Sequence, residues 1–81
     1  KKYGSARENL VKAIEIDPTL GAAYLNLGKL FEELQYTGTA KNYYRTAFEM
    51  GKGTSVGDTA AEKYNTLLKN ENNAFQANTT R

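Results

Sequence analysis

Apolar side chains recur along this chain at helical spacing, in four stretches separated by short breaks. In the first, Ala6, Leu10, Ala13 and Ile14 step by four, three and one, which gathers them on one face, while Arg7, Glu8, Lys12 and Glu15 take the other. The spacing predicts a helix from about Ser5 to Ile16. Asp17-Pro18 ends it, because the residue before proline is pushed out of the helical region. The same pair opens the next helix, with Asp17 as cap and Pro18 in the first turn. A second stripe, Tyr24, Leu27, Phe31 and Leu34 flanked by Leu20 and Leu30, predicts a helix over about Thr19 to Leu34. Gly28 lies on that apolar side, where glycine costs about 1 kcal/mol against alanine. Its placement implies a neighbouring helix so close that a Cβ would clash.

Gln35 to Gly38 reads as a turn, with Thr37 or Thr39 offering an N-cap to a third helix that ends near Met50 and turns Ala40, Tyr44, Ala47 and Phe48 inward. Residues 51–57 break the pattern, and Gly51 can close the third helix in a left-handed cap. Thr59 with Glu62 three residues on is a capping-box signature for a fourth helix, with Ala61, Tyr64, Leu67 and Leu68 inward and Glu62, Lys63, Lys69 and Asn70 outward. From Glu71 the chain is polar and asparagine-rich, so residues 71–81 are expected to be a fraying tail anchored only by Phe75.

The first and third stretches are one helix written twice. Residues 4–16 and 38–50 align at an offset of 34, with Gly4 on Gly38, Ala6 on Ala40, Leu10 on Tyr44, Ala13 on Ala47, Ile14 on Phe48 and Glu15 on Glu49. An offset of that size marks a supersecondary unit copied along the chain, each copy burying its face against the next.

Composition narrows what such an array can do. Histidine and cysteine are both absent from the 81 residues, which removes the commonest general base, the thiolate nucleophile and the usual transition-metal ligands. No catalytic residue, metal site or cofactor is therefore expected, and the chain is not read as an enzyme. A net charge of +2 with no basic run or groove-entering motif argues against nucleic acid. No apolar run approaches the roughly 20 residues of a membrane span. Gly51-Lys52-Gly53-Thr54-Ser55 superficially suggests a phosphate loop, but Thr46 stands where the first glycine belongs and a helix, not a strand, precedes it. Asn78-Thr79-Thr80 is a glycosylation sequon by pattern alone.

With this pattern laid out, the chain resembles the tetratricopeptide repeat family, whose 34-residue unit is a pair of antiparallel helices with aromatic, Leu-Gly, aromatic, Ala, aromatic, Ala and Pro at set places. Residues 21–54 match one unit: Tyr24, Leu27-Gly28, Phe31, Ala40, Tyr44 and Ala47 take those places in register. Residues 1–20 match the second half of a preceding unit, closing on Asp17-Pro18, so the likeness covers about two-thirds of the chain. Lys52 stands where a second closing proline is usual and Gln35 where glycine is. The fourth helix, about 58–70, keeps the spacing only after an insertion of roughly three residues, with Asn65 in place of glycine; it resembles a capping helix. The resemblance implies an all-α fold of antiparallel helix hairpins in series, a right-handed α-solenoid fragment over residues 1–70.

It also implies a function. In this family the first helix of each unit lines a groove that grips a peptide, which places Ala22, Leu25, Asn26, Lys29, Glu32 and Glu33 in a partner-binding groove, with Asn26 able to bond a peptide backbone. A complete clamp for a C-terminal carboxylate is not expected, since Val56 and Ala60 stand where its basic pair belongs and only Lys63 lies near. The implied partner is a protein or peptide. The alternative is a structural role, because the first helix lacks its own partner helix: an upstream repeat or a second copy of the chain, in a homo-oligomer, would cover its edge.

Overall fold

A computed structural model describes residues 3–79, with side chains placed for residues 3–71; Phe75 and the Asn78-Thr79-Thr80 sequon lie outside the described side chains. Four helices follow in series, α1 (Tyr3–Ile16), α2 (Gly21–Glu33), α3 (Thr37–Met50) and α4 (Ser55–Thr79), with no strand among the described residues. Each packs on its neighbour in sequence, and α2 also touches α4. The start of α2 meets the end of α3, so the two run antiparallel.

The first connection is a four-residue turn rather than a capped helix start. The Leu20 amide donates to the Asp17 carbonyl at 3.1 Å, and the Asp17 carboxylate accepts from the Thr19 amide at 3.1 Å and the Thr19 hydroxyl at 2.7 Å. Those two bonds hold the Asp17 carboxyl below its ordinary pKa, the hydroxyl bond first. Aspartate at the first position and proline at the second are what such a turn favours. This corrects the expected cap: α2 starts at Gly21, its N-cap is Leu20 without a side-chain bond, and Pro18 serves the turn. The Pro18 carbonyl accepts from the Tyr24 hydroxyl at 2.9 Å, tying the turn to α2.

The second connection carries its strain on one residue. Gln35 has φ +68°, its amide donates to the Glu32 carbonyl at 3.0 Å, and the Tyr36 amide donates to the Phe31 carbonyl at 2.9 Å. These are the paired bonds of a Schellman ending, which places its left-handed residue where glycine is usual. The accompanying apolar contact is present too, Phe31 and Tyr36 having ring centroids 6.1 Å apart. Leu34, expected in the apolar stripe, is instead the exposed C-cap residue.

Glycines build the third connection. Gly51 does not take the expected left-handed conformation, having φ −104°; Gly53 does, at +85°. Gly51 is there for space: a Cβ would lie 3.0 Å from the Gly57 amide nitrogen and 3.1 Å from the Ala47 carbonyl oxygen. A Cβ on Gly21 would lie 3.1 Å from the Gly51 nitrogen, and one on Gly57 would run into the Gly51 carbonyl. Three backbones therefore meet at Gly21, Gly51 and Gly57. The Thr54 hydroxyl donates to the Gly51 carbonyl at 2.6 Å and accepts from the Gly57 amide at 3.3 Å, so Thr54 starts α4 one turn before the expected capping box. Thr59 and Glu62 lie inside the helix. Its backbone also continues through the stretch expected to fray, to Thr79, and Glu71 there pairs with Lys41 of α3 at 2.8 Å.

The core lies between α2, α3 and α4, where Leu25, Ala40, Tyr44, Ala47, Ala60 and Leu67 are buried. Gly28 fulfils its expectation: a Cβ there would come within 2.5 Å of the Tyr44 ring.

Candidate functional site

The α2 and α4 helices stand side by side and leave two adjoining depressions on one face. One, of about 420 Å³, is lined by Lys29, Glu32, Glu33 and Lys63. The other, of about 370 Å³, is lined by Glu32, Thr59, Glu62, Lys63 and Thr66. Glu32 and Lys63 are common to both, so the two form one continuous groove walled by α2 and α4.

Its floor is organised by Tyr44 of α3. The Tyr44 ring is fully buried, and its hydroxyl donates to the Glu32 carboxylate at 2.5 Å. The Lys63 ammonium stands 5.9 Å from the centre of the same ring, within range of a cation–π attraction. Burial first, and the Glu32 carboxylate second, push the Tyr44 phenol well above its ordinary value of 10.0. The hydroxyl thus stays protonated and keeps donating across any physiological pH. One core side chain orients an acidic group on one wall and a basic group on the other. At the far end Glu33 accepts from the Tyr3 hydroxyl of α1 at 2.9 Å, which links α1 to the groove rim.

The structure redistributes the residues expected in the groove. Lys29, Glu32 and Glu33 come together on its α2 wall. Ala22 and Asn26 are exposed on α2 but outside both depressions. Leu25 is a correction: it is buried in the core, in one cluster with Ala60 and Leu67 of α4, and lines neither depression. The repeat positions are packing residues, with Leu27, Gly28, Ala40, Tyr44 and Ala47 buried and Tyr24 and Phe31 half-buried. Phe31 stacks on Tyr43 at 5.6 Å.

The α4 wall, Thr59, Glu62, Lys63 and Thr66, was not among the expected site residues. A signal for it exists. Shifting Ala22, Leu25, Asn26 and Lys29 by 37, the 34-residue period plus a three-residue insertion, lands on these four positions. The burial pattern supports that register, since Ala23 and Leu30 of α2 are buried and so are Ala60 and Leu67 of α4.

Chemically the groove presents both signs of charge on its two helical walls. Among the described residues no three of His, Cys, Asp and Glu gather to hold an ion, and no helix is long and apolar enough to cross a membrane. In comparison with known proteins, the family model described as tetratricopeptide repeat matches residues 21–50, the α2–α3 hairpin and its turn. No curated protein and no solved structure matches the chain.

Proposed function

Because residues 21–50 are a tetratricopeptide repeat, a unit that generally mediates protein–protein interaction, we propose that the α2–α4 groove binds a segment of a partner protein. The observation that carries this reading is the convergence of Lys29, Glu32, Glu33, Glu62 and Lys63 on one groove whose floor is held by Tyr44. Fixed charges of both signs recognise a segment that offers the complementary pattern. Basic side chains face the three carboxylates, and a carboxylate faces the two ammonium groups. The groove is open and solvated, so this recognition weakens as salt screens it.

Repeats of this kind typically serve as scaffolds without catalysis of their own. Peptide arrays of mixed-charge segments probed with the chain test the reading. The double variant Lys29→Ala/Lys63→Ala keeps its helicity and loses the captured set. Retention of the same peptides at the same strength by that variant refutes the groove.

A further inference from the structure

The charged side chains of the groove are not held alike. Lys29, Glu33 and Glu62 are exposed, whereas Glu32 and Lys63 are half-buried, and both of these meet Tyr44. The Lys63 ammonium rests over the ring face, an attraction that already sets electron density against its charge. Glu32 is held differently. Its Oε1 accepts from the Tyr44 hydroxyl at 2.5 Å, the short end for a hydrogen bond to an ionised oxygen, and such a bond fixes a direction. Among the described residues its other oxygen accepts no hydrogen bond, and no lysine or arginine nitrogen stands within 4.0 Å of the carboxylate. Glu32 lines both depressions, so this aimed, half-buried negative charge sits where they join.

On the premise that the groove seats a partner segment, we propose that Tyr44 is its positioning residue, whose hydroxyl holds the Glu32 carboxylate for a lysine or arginine side chain of that segment. A glutamate loses rotamer freedom when an ion pair fixes it, and that ordering is part of what association costs. Tyr44 orders Glu32 in the free protein, because its own ring is fully buried and pressed on Gly28. Glu62 on the opposite wall has no such anchor: its carboxylate is exposed and bonds to no described residue. Half-burial strengthens the difference, since salt screens a partly buried pair less than an exposed one. The raised phenol keeps its proton wherever lysine is charged, so the anchor and the incoming cation coexist. Nor do they compete for space, because an ionised carboxylate offers about four acceptor positions and Tyr44 takes one.

Paired peptides test this. Each mixed-charge segment captured on the array is made again with glutamine in place of one lysine or arginine at a time, and both members are titrated against the 81-residue chain. At one basic position the wild type should prefer the basic member by about tenfold, and Tyr44→Phe by about threefold or less. Tyr44→Phe keeps the ring that packs on Gly28 and carries Lys63, and removes the hydroxyl alone. A fold weakened by the change lowers both affinities by the same fraction, which cancels in their ratio, so a purely structural role leaves the ratio where it was. Glu32→Gln should bring the same ratio to about one, and adding Tyr44→Phe to it should change nothing further. A ratio unmoved by either variant, or a captured set without basic side chains, overturns the proposal, while loss of capture in Lys29→Ala/Lys63→Ala still upholds the groove. An array that captures nothing refutes the groove and this assignment together.

Discussion

α1 and α3 carry the same apolar pattern, yet only one of them is a core helix. Ala40, Tyr44 and Ala47 of α3 are fully buried, while Ala6, Leu10 and Ala13 of α1, at the same places in the repeat, are half-covered. Nothing in the local sequence of α1 forbids burial. The difference lies in neighbours: α3 sits between α2 and α4, and α1 has α2 on one side only. In a row of stacked helices, burial is a property of position in the row.

Substitution at matched positions breaks or confirms that comparison most strongly. Tyr44→Ala should remove about 3–5 kcal/mol, enough to unfold most of a chain this small, whereas Leu10→Ala should cost about 1–2 kcal/mol because part of its surface is already wet. Urea denaturation of both variants at low protein concentration decides it. Equal losses mean that α1 is covered in solution.

Glycine-to-alanine changes come next. Gly28→Ala should destabilise by about 1–3 kcal/mol, since the added carbon meets a buried ring with no room to move, although alanine is the better helix former. Gly38→Ala and Gly4→Ala, matched positions with nothing within 4 Å, should each stabilise by about 0.5–1 kcal/mol. Thermal melts showing the same sign at Gly28 and Gly38 contradict the close α2–α3 crossing.

The Tyr44 hydroxyl provides a comparable effect that Leu10 cannot mimic. Tyr44→Phe should cost about 1.5–3 kcal/mol, the range for a hydrogen bond to a charged group. It should also change the pH profile. The folded state holds the phenolic proton above the pH at which the unfolded chain gives it up, so this stability is complete below about pH 10 and is lost as the pH climbs beyond it. Denaturation midpoints of wild type and variant should therefore converge in strong alkali; parallel curves rule out the coupling.

The connections give a difference of about the size of the exposed-glycine changes. Gln35→Gly in the α2–α3 turn should stabilise by about 1 kcal/mol, by relieving a left-handed side-chain residue. A chemical melt that shows no gain argues that Gln35 makes a compensating contact.

How far the fold was legible follows from what each signal depends on. The helical stripes, the 34-residue copying and the meaning of Gly28 rest on short-range spacing, and all appear in the structure. The caps were less legible. Asp17, Thr59 and Gly51 each carry a side chain or backbone freedom that suits more than one role, and the choice went to whichever bond the next helix allowed. The groove was half legible. Lys29, Glu32 and Glu33 followed from the repeat register, whereas the α4 wall required knowing that three residues inserted before Asp58 shift the register without breaking the stack.

The sequence by itself determined four amphipathic helices, their order and the repeat of residues 21–50, because periodicity and turn chemistry act within a few residues of one another. Only the tertiary structure decided which apolar faces are covered, that Leu25 belongs to the core, and that Tyr44 holds Glu32 and Lys63 in the groove. Those outcomes depend on side chains a dozen or more positions apart meeting across a helix crossing, and a crossing is set by what glycine and alanine leave room for, not by the pattern of any one helix.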